Sequence, residues 1–282
     1  ATEVAPSQLY LLGIGALAIF FGFRYSLAWD VVLRFVHQTP FGVTDPIYSQ
    51  EVAFYVFTLP FVNLVLGFLN TLLVVSLLLA LLMYARYFGI VEQETPTGEV
   101  SAFNIFEFLN NLRRYAFGHI VAFVGAFLVL LGVGYVVDRF ELLYSTRGVV
   151  FGMGATDQAI FQPLLVLLAI TAILGGLAML ANTRLRDDRL FYVPIAAIVG
   201  FLILGTVAGA AYQAYVVEPD EFNKEQRYIE NEIEFTNHAF ALDRIQEREF
   251  PVAETISAER IEANPGTIDN VRLWDPRPLM TT

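Results

Sequence analysis

Phe191–Val217 reads FYVPIAAIVGFLILGTVAGAAYQAYVV, and the four residues after it are Glu218-Pro219-Asp220-Glu221. An uncharged run of this length makes a helix of about 40 Å at 1.5 Å per residue, more than the ~30 Å hydrocarbon layer of a bilayer. It predicts a membrane-spanning helix that delivers the chain into water at residue 218. Working back toward the N-terminus, four more apolar runs follow the same reading: Ile160–Ala181, Phe117–Val137, Phe61–Tyr87 and Leu9–Phe23. The last is short and reaches span length only if Arg24 snorkels outward and the helix continues to Trp29. The expected fold is therefore an all-α membrane protein. Residues 1–217 form a polytopic transmembrane helix bundle of about five spans, and residues 218–282 begin an acidic extracytoplasmic domain.

Composition agrees. Hydrophobic residues make up 56% of the 282 and charged residues 16%, with a mean hydropathy of +0.57, outside the soluble globular range. The net charge of −11 is uneven. Residues 1–217 hold 10 Lys/Arg against 13 Asp/Glu, while residues 218–282 hold 7 against 15, so the acid is concentrated after the last span. No basic stripe exists for phosphate contacts, which argues against a nucleic-acid partner. The absence of cysteine excludes thiolate metal sites, iron–sulfur clusters and disulfides within this chain. The chain starts at Ala1 without a basic leader and stops at Thr282 without an anchor, and it reads as a fragment of a longer protein.

The connections carry their own signals. Asp45-Pro46 reads as an N-cap followed by a first helical residue, which predicts an aromatic interfacial helix near residues 46–59 that ends at Pro60. A second amphipathic interfacial helix is expected near residues 100–115, with apolar Phe103, Phe106 and Leu109 against Arg113 and Arg114. Gly118, Gly125 and Gly132 recur every seven residues, and Gly205 and Gly209 form a small-xxx-small element. Both patterns let helix backbones approach closely. The segment Thr183–Arg189 is short enough to predict a tight turn between antiparallel spans. Placing that turn in the cytoplasm puts 6 basic residues inside and leaves Arg24, Arg34, Arg139 and Arg147, 4 in all, outside. The bias sends residues 218–282 to the external side.

Candidates for chemistry are few. Asn63, Gly67, Asn70 and Thr71 share one face of their span, either as the wall of a polar pathway or as hydrogen-bonding glue between helices. His119, at the mouth of a span, could relay protons or simply hydrogen-bond at the interface. No histidine has a second ligand at metal spacing, and no nucleophile elbow, zinc motif or dinucleotide fingerprint occurs. No catalytic residue, metal or cofactor is expected. Glu218, Asp220, Glu221 and Glu225 read as a solvated acidic helix face. Asp138 and Glu141 read as boundary charges paired locally beside Arg139. No ionisable residue lies within the apolar cores, which weighs against an ion-coupled transporter.

Several stretches together resemble a known family. They are Thr39–Pro46, Phe54–Phe61, Asp138–Ser145 with Arg147–Gly152, Glu225-Gln226-Arg227-Tyr228-Ile229, and Leu273-Trp274-Asp275-Pro276-Arg277-Pro278-Leu279. In this order, spread over about residues 30–280, they resemble uncharacterised protein family 0182, large prokaryotic integral membrane proteins. Phe140 stands where many relatives are expected to carry tyrosine. The resemblance implies a cell-membrane, multi-pass bundle followed by a large extracytoplasmic domain, with further helices before Ala1 and most of that domain after Thr282. It brings no catalytic residues. The function expected on these grounds is a non-enzymatic membrane-embedded scaffold or assembly factor. Its partners are the lipid bilayer and other membrane or envelope proteins. The alternative is a transporter or channel with a pathway past Asn63, Asn70 and His119.

Overall fold

The structure, a computed structural model, describes residues 6–87, 116–249 and 255–271. The second expected interfacial helix, near 100–115, and the stretch Leu273–Leu279 lie outside the described residues. Among those described, the regular elements are helical, and the one β pairing is a bridge between Thr44 and Glu51. Four helices are long and apolar enough to cross a membrane, or five if one bent pair counts as a single span. The chain divides into two compact units, Ala1–Thr236 and Asn237–Thr282.

The bent pair is the first element. α1 (Pro6–Ser26) and α2 (Trp29–Val36) meet at a 48° bend, so the expected continuation to Trp29 is broken at Leu27-Ala28. α2 is amphipathic, which explains the change of course. Its Asp30 and Arg34 pair at 3.3 Å on an exposed face, while Phe35 stacks on Phe61 with ring centroids 4.1 Å apart.

α3 (Leu59–Tyr87), α4 (Phe117–Glu141), α5 (Gln162–Leu185) and α6 (Asp188–Tyr212) are the four long helices. The helix expected to start at Pro46 starts instead at residue 52, and it runs through Pro60 into α3 without a stop. Asp45 explains the delay. Its carboxylate accepts the backbone N–H groups of Ile47, Tyr48 and Gln50 at 2.6–2.9 Å, which holds a turn where a helix was expected. Glu51 then serves the helix start, accepting from Ala53 N–H at 2.7 Å.

A single device recurs at one end of the bundle. The π-helical turns Phe54–Thr58, Asp157–Phe161 and Gln213–Val217 each close with the next residue donating its N–H five residues back. Those next residues are Leu59, Gln162 and Glu218, and each is followed by a proline: Pro60, Pro163 or Pro219. A proline ring collides with the carbonyl four residues before it and supplies no N–H; a widened π turn accommodates it at these three places, whereas Pro194 sits within α6 without one.

α4 and α5 pack backbone to backbone. A Cβ built on Gly176 would lie 2.6 Å from the Gly125 carbonyl oxygen and 2.8 Å from Val129 N, and one on Gly132 would lie 2.9 Å from Ala169 O. Around this contact Val121, Leu128, Leu168, Ala172, Met179 and Ile198 form the buried core. Gly118, the first glycine of the seven-residue series, only borders Thr183 O at 3.8 Å. The α5–α6 turn is tight. Arg186 takes the left-handed conformation, and buried Asn182 both donates to Asp187 O at 2.8 Å and accepts from Asp187 N–H at 2.7 Å. Asp187 then caps α6 by accepting from Arg189 N–H at 2.9 Å.

From α6 the helical path continues through Gln213–Val217 and the 3₁₀ turn Glu218–Asp220 into α7 (Glu221–Ala239). In the second unit, α8 (Ala258–Glu262) is capped by Ser257 and followed by the single-turn α9 (Pro265–Ile268).

Candidate functional site

The residues singled out from the sequence fall into two groups. Asn63 and His119 mark opposite ends of the α3–α4 seam. The Asn63 amide donates to the Glu141 carboxylate at one end, and Tyr84 hydroxyl shares a hydrogen bond with His119 Nδ1 at the other. Asn70 lies between them along α3, its side-chain carbonyl oxygen buried without a hydrogen-bond partner among the described residues. Thr71 and Gly67 turn to a different neighbour, because Thr71 Oγ1 donates back to Gly67 O and accepts from Tyr25 hydroxyl of α1 at 3.1 Å. Gly205 and Gly209 are buried on α6, where a Cβ would strike the side chains of Leu164 and Phe161 respectively.

The richer chemistry sits at the end of the bundle that carries the three π turns. Asp45, after satisfying its own turn, accepts from Tyr55 hydroxyl at 2.8 Å. Tyr48 hydroxyl donates to Arg139 O at 2.7 Å, and burial pushes its phenol up to about 12 against the opposing pull of the Arg139 guanidinium. That guanidinium lies over Tyr48 and Phe140, with 5.5 and 5.0 Å to the ring centroids. The local Asp138–Arg139–Glu141 pairing read from the sequence is absent among the described residues. Arg139 takes aromatic partners and Glu141 takes Asn63.

Beside this lies a buried acidic pair that the sequence reading missed. Asp157, in the second π turn and 2% exposed, pairs with Arg147 at 3.4 Å, and the Arg147 guanidinium lies 4.2 Å from the centroid of Phe161. Glu225 of α7 is also 2% exposed, so it does not belong to a solvated acidic face. Ala155 N–H donates to both of its carboxylate oxygens at 3.1 and 3.2 Å, and Gly154 leaves the room for them. Burial pushes the Glu225 carboxyl above its ordinary 4.5, with Asp157 and Glu221 adding to the effect and the Ala155 N–H opposing it. Two more contacts join the helices here: Tyr228 hydroxyl to Gln158 and Thr156 hydroxyl to Gln213, the latter at 2.6 Å. The available signal for Glu225 was its place in the stretch Glu225–Ile229, whose Glu and Tyr are the docking residues.

Between α7 and this layer is a cavity of about 340 Å³, bordered by Asp45, Tyr55, Tyr144, Phe151, Tyr228, Glu232 and Phe235 among others. Its size and mainly apolar walls match small-molecule sites. No cluster of three or more potential metal ligands occurs among the described residues.

All but one of the stretches that carry the family resemblance contribute to this layer, and the remaining one, Leu273–Leu279, lies outside the described residues. The chain is 35% identical over 99% of its length to a UPF0182 protein of Desulforamulus reducens, and 35% over 99% to one of Cupriavidus necator. A UPF0182 protein of Methanospirillum hungatei is 33% identical over 93% of the chain. The chain spans only 29–30% of the length of these relatives. No solved structure matches it. Residues 1–282 match throughout the family described as Uncharacterised protein family (UPF0182), and the chain belongs to that family.

Proposed function

We propose that residues 1–217 are the membrane-embedded mount of a larger cell-membrane protein, and that residues 218–282 begin the extracytoplasmic domain it carries. The observation that supports this most is the way α7 is held. Glu225, Tyr228 and the preceding Gln213 each bond to the 155–158 segment at the head of α5, so the first helix past the apolar spans is clamped to the bundle. A glycine-packed α4–α5–α6 core suits a rigid support. Such a mount acts through its lipid surroundings and through other membrane or envelope proteins, and it needs no catalytic group of its own.

Affinity purification of the full-length protein in mild detergent tests the role, with the expectation of reproducible envelope partners. Failure to recover any, together with a self-contained turnover, would overturn it. The topology has its own test, helped by the lack of cysteine in this chain. A membrane-impermeant maleimide applied to intact cells should label Thr236→Cys and spare Thr183→Cys, and the reverse pattern would invert the orientation.

One observation favours a second reading, transport along the α3–α4 seam: the buried side-chain carbonyl oxygen of Asn70, unpartnered among the described residues. An amide in this state at membrane depth is costly unless something passes or binds there. Flux through reconstituted full-length protein that disappears in Asn70→Leu would select this reading, and unchanged flux would remove it.

A further inference from the structure

We propose that the cavity between α7 and the π-turn layer binds an organic ammonium cation. This goes beyond the mounting role and holds under either reading of function.

The lining of the cavity is complementary to a cation. Five aromatic rings border the cavity: Tyr55, Tyr144, Phe151, Tyr228 and Phe235. Rings present a negative face, and a cage of them is the usual protein answer to a quaternary or alkylated ammonium, which is too weakly hydrated to demand hydrogen bonds. Two carboxylates, Asp45 and Glu232, share the border, and among the described residues no Lys, Arg or His does. An anionic phosphate or carboxylate ligand would meet repulsion there. The neighbouring cations are committed elsewhere, Arg147 to Asp157 and Arg139 to the rings of Tyr48 and Phe140.

The two carboxylates play different parts. Asp45 is saturated by three backbone N–H groups and Tyr55 hydroxyl, so it contributes field without a free lone pair. Glu232 has no ion pair or hydrogen bond among the described residues and is only partly exposed, which makes it the counter-charge. The phenols are tied down as well. Tyr55 donates to Asp45, Tyr144 to the Tyr55 carbonyl at 3.3 Å, and Tyr228 to Gln158, so the rings are set before a ligand arrives. The ammonium could be free in the aqueous phase or carried on a lipid headgroup, since either source offers the same cation.

The test uses full-length protein in nanodiscs of phosphatidylglycerol, titrated with benzyltrimethylammonium. Saturable binding is expected, and its uncharged carbon isostere, neopentylbenzene, should not compete. Glu232→Gln and, separately, Phe235→Leu should each weaken binding about fivefold or more, in the range a desolvated cation–π or counter-charge contact supplies. Nanodiscs of phosphatidylcholine separate the sources: weakened binding of the probe there identifies a lipid headgroup, and unchanged binding identifies a free ammonium. Equal competition by neopentylbenzene, or no saturable binding of the ammonium to the wild type, overturns the proposal. The contrast between charged and neutral probes on the wild type decides the matter even if a variant fails to fold.

Discussion

The α4–α5 and α1–α3 seams join helices of similar apolar composition by opposite means. Across α4–α5, Gly125 and Gly176 bring two backbones so close that a single Cβ has nowhere to go. Across α1–α3 there is a groove of about 420 Å³ lined by Leu17, Phe21, Phe68, Leu72 and their neighbours, and the joining contacts centre on Tyr25. Its hydroxyl reaches Thr71, and its ring meets Phe68 edge-on with centroids 5.0 Å apart. In lipid, apolar side chains gain little by meeting each other rather than acyl chains, so close van der Waals fit has to supply the cohesion. Small residues provide that fit and large ones prevent it. The first seam is built to stay shut, and the second is a polar stitch across a gap that lipid tails can fill.

The sharpest way to break this contrast is Gly176→Leu. Its side chain would collide with the Gly125 carbonyl and Val129, and the variant should lose about 3 kcal/mol or fail to assemble, at the upper end of overpacking costs. Thermal unfolding in detergent measures it, and an unchanged melting temperature would show that the seam yields easily. Next in size is Asn182→Leu, which strips the two hydrogen bonds closing the α5–α6 turn and leaves the Asp187 N–H without its partner. A loss of about 2 kcal/mol is expected in the same assay.

The clamp on α7 extends the tight side of the molecule, and it should respond to pH. Because the Glu225 carboxyl is raised above 4.5 when docked, the docked state holds its proton more firmly than the undocked one. Docking is therefore firmest below 4.5 and weakens as pH climbs from there through the raised value. Hydrogen exchange of α7 amides, corrected for intrinsic rates, should show more protection at pH 5 than at pH 8. Glu225→Gln should flatten that difference, and a slope that survives the substitution would assign the effect to another group. The smallest change belongs to the loose seam. Tyr25→Phe removes one interhelical hydrogen bond worth about 0.6 kcal/mol in a membrane setting, and it should barely move the melting temperature.

Hydrophobic run length was enough to locate the long helices, because the bilayer leaves little choice about what twenty apolar residues do. The close approach of α4 was readable from Gly125 and Gly132, although their partners Ala169 and Gly176 were not, since one sequence says nothing about which face meets which. Local chemistry misled in two places. Asp45-Pro46 has the pattern of a helix start, yet a carboxylate that can accept three backbone N–H groups stabilises a turn equally well, and the tertiary hydroxyl of Tyr55 tips the balance. Glu225 looked like one acid among several. Its burial depends on a space beside Gly154 that lies 71 positions earlier in the chain. Proline alone does not mark the π turns: Pro60, Pro163 and Pro219 each follow one, whereas Pro194 sits inside α6 without one.

The unbroken helical path from α6 through residues 213–220 into α7 has a mechanical consequence. A helix without a break leaves no hinge at residues 213–220, so α7, clamped to the 155–158 segment, and α6, whose Gly205 and Gly209 receive Leu164 and Phe161, form one stiff strut. A flexible insert after Val217 would give that strut a hinge and leave the contacts of Glu225 and Tyr228 to hold α7 alone.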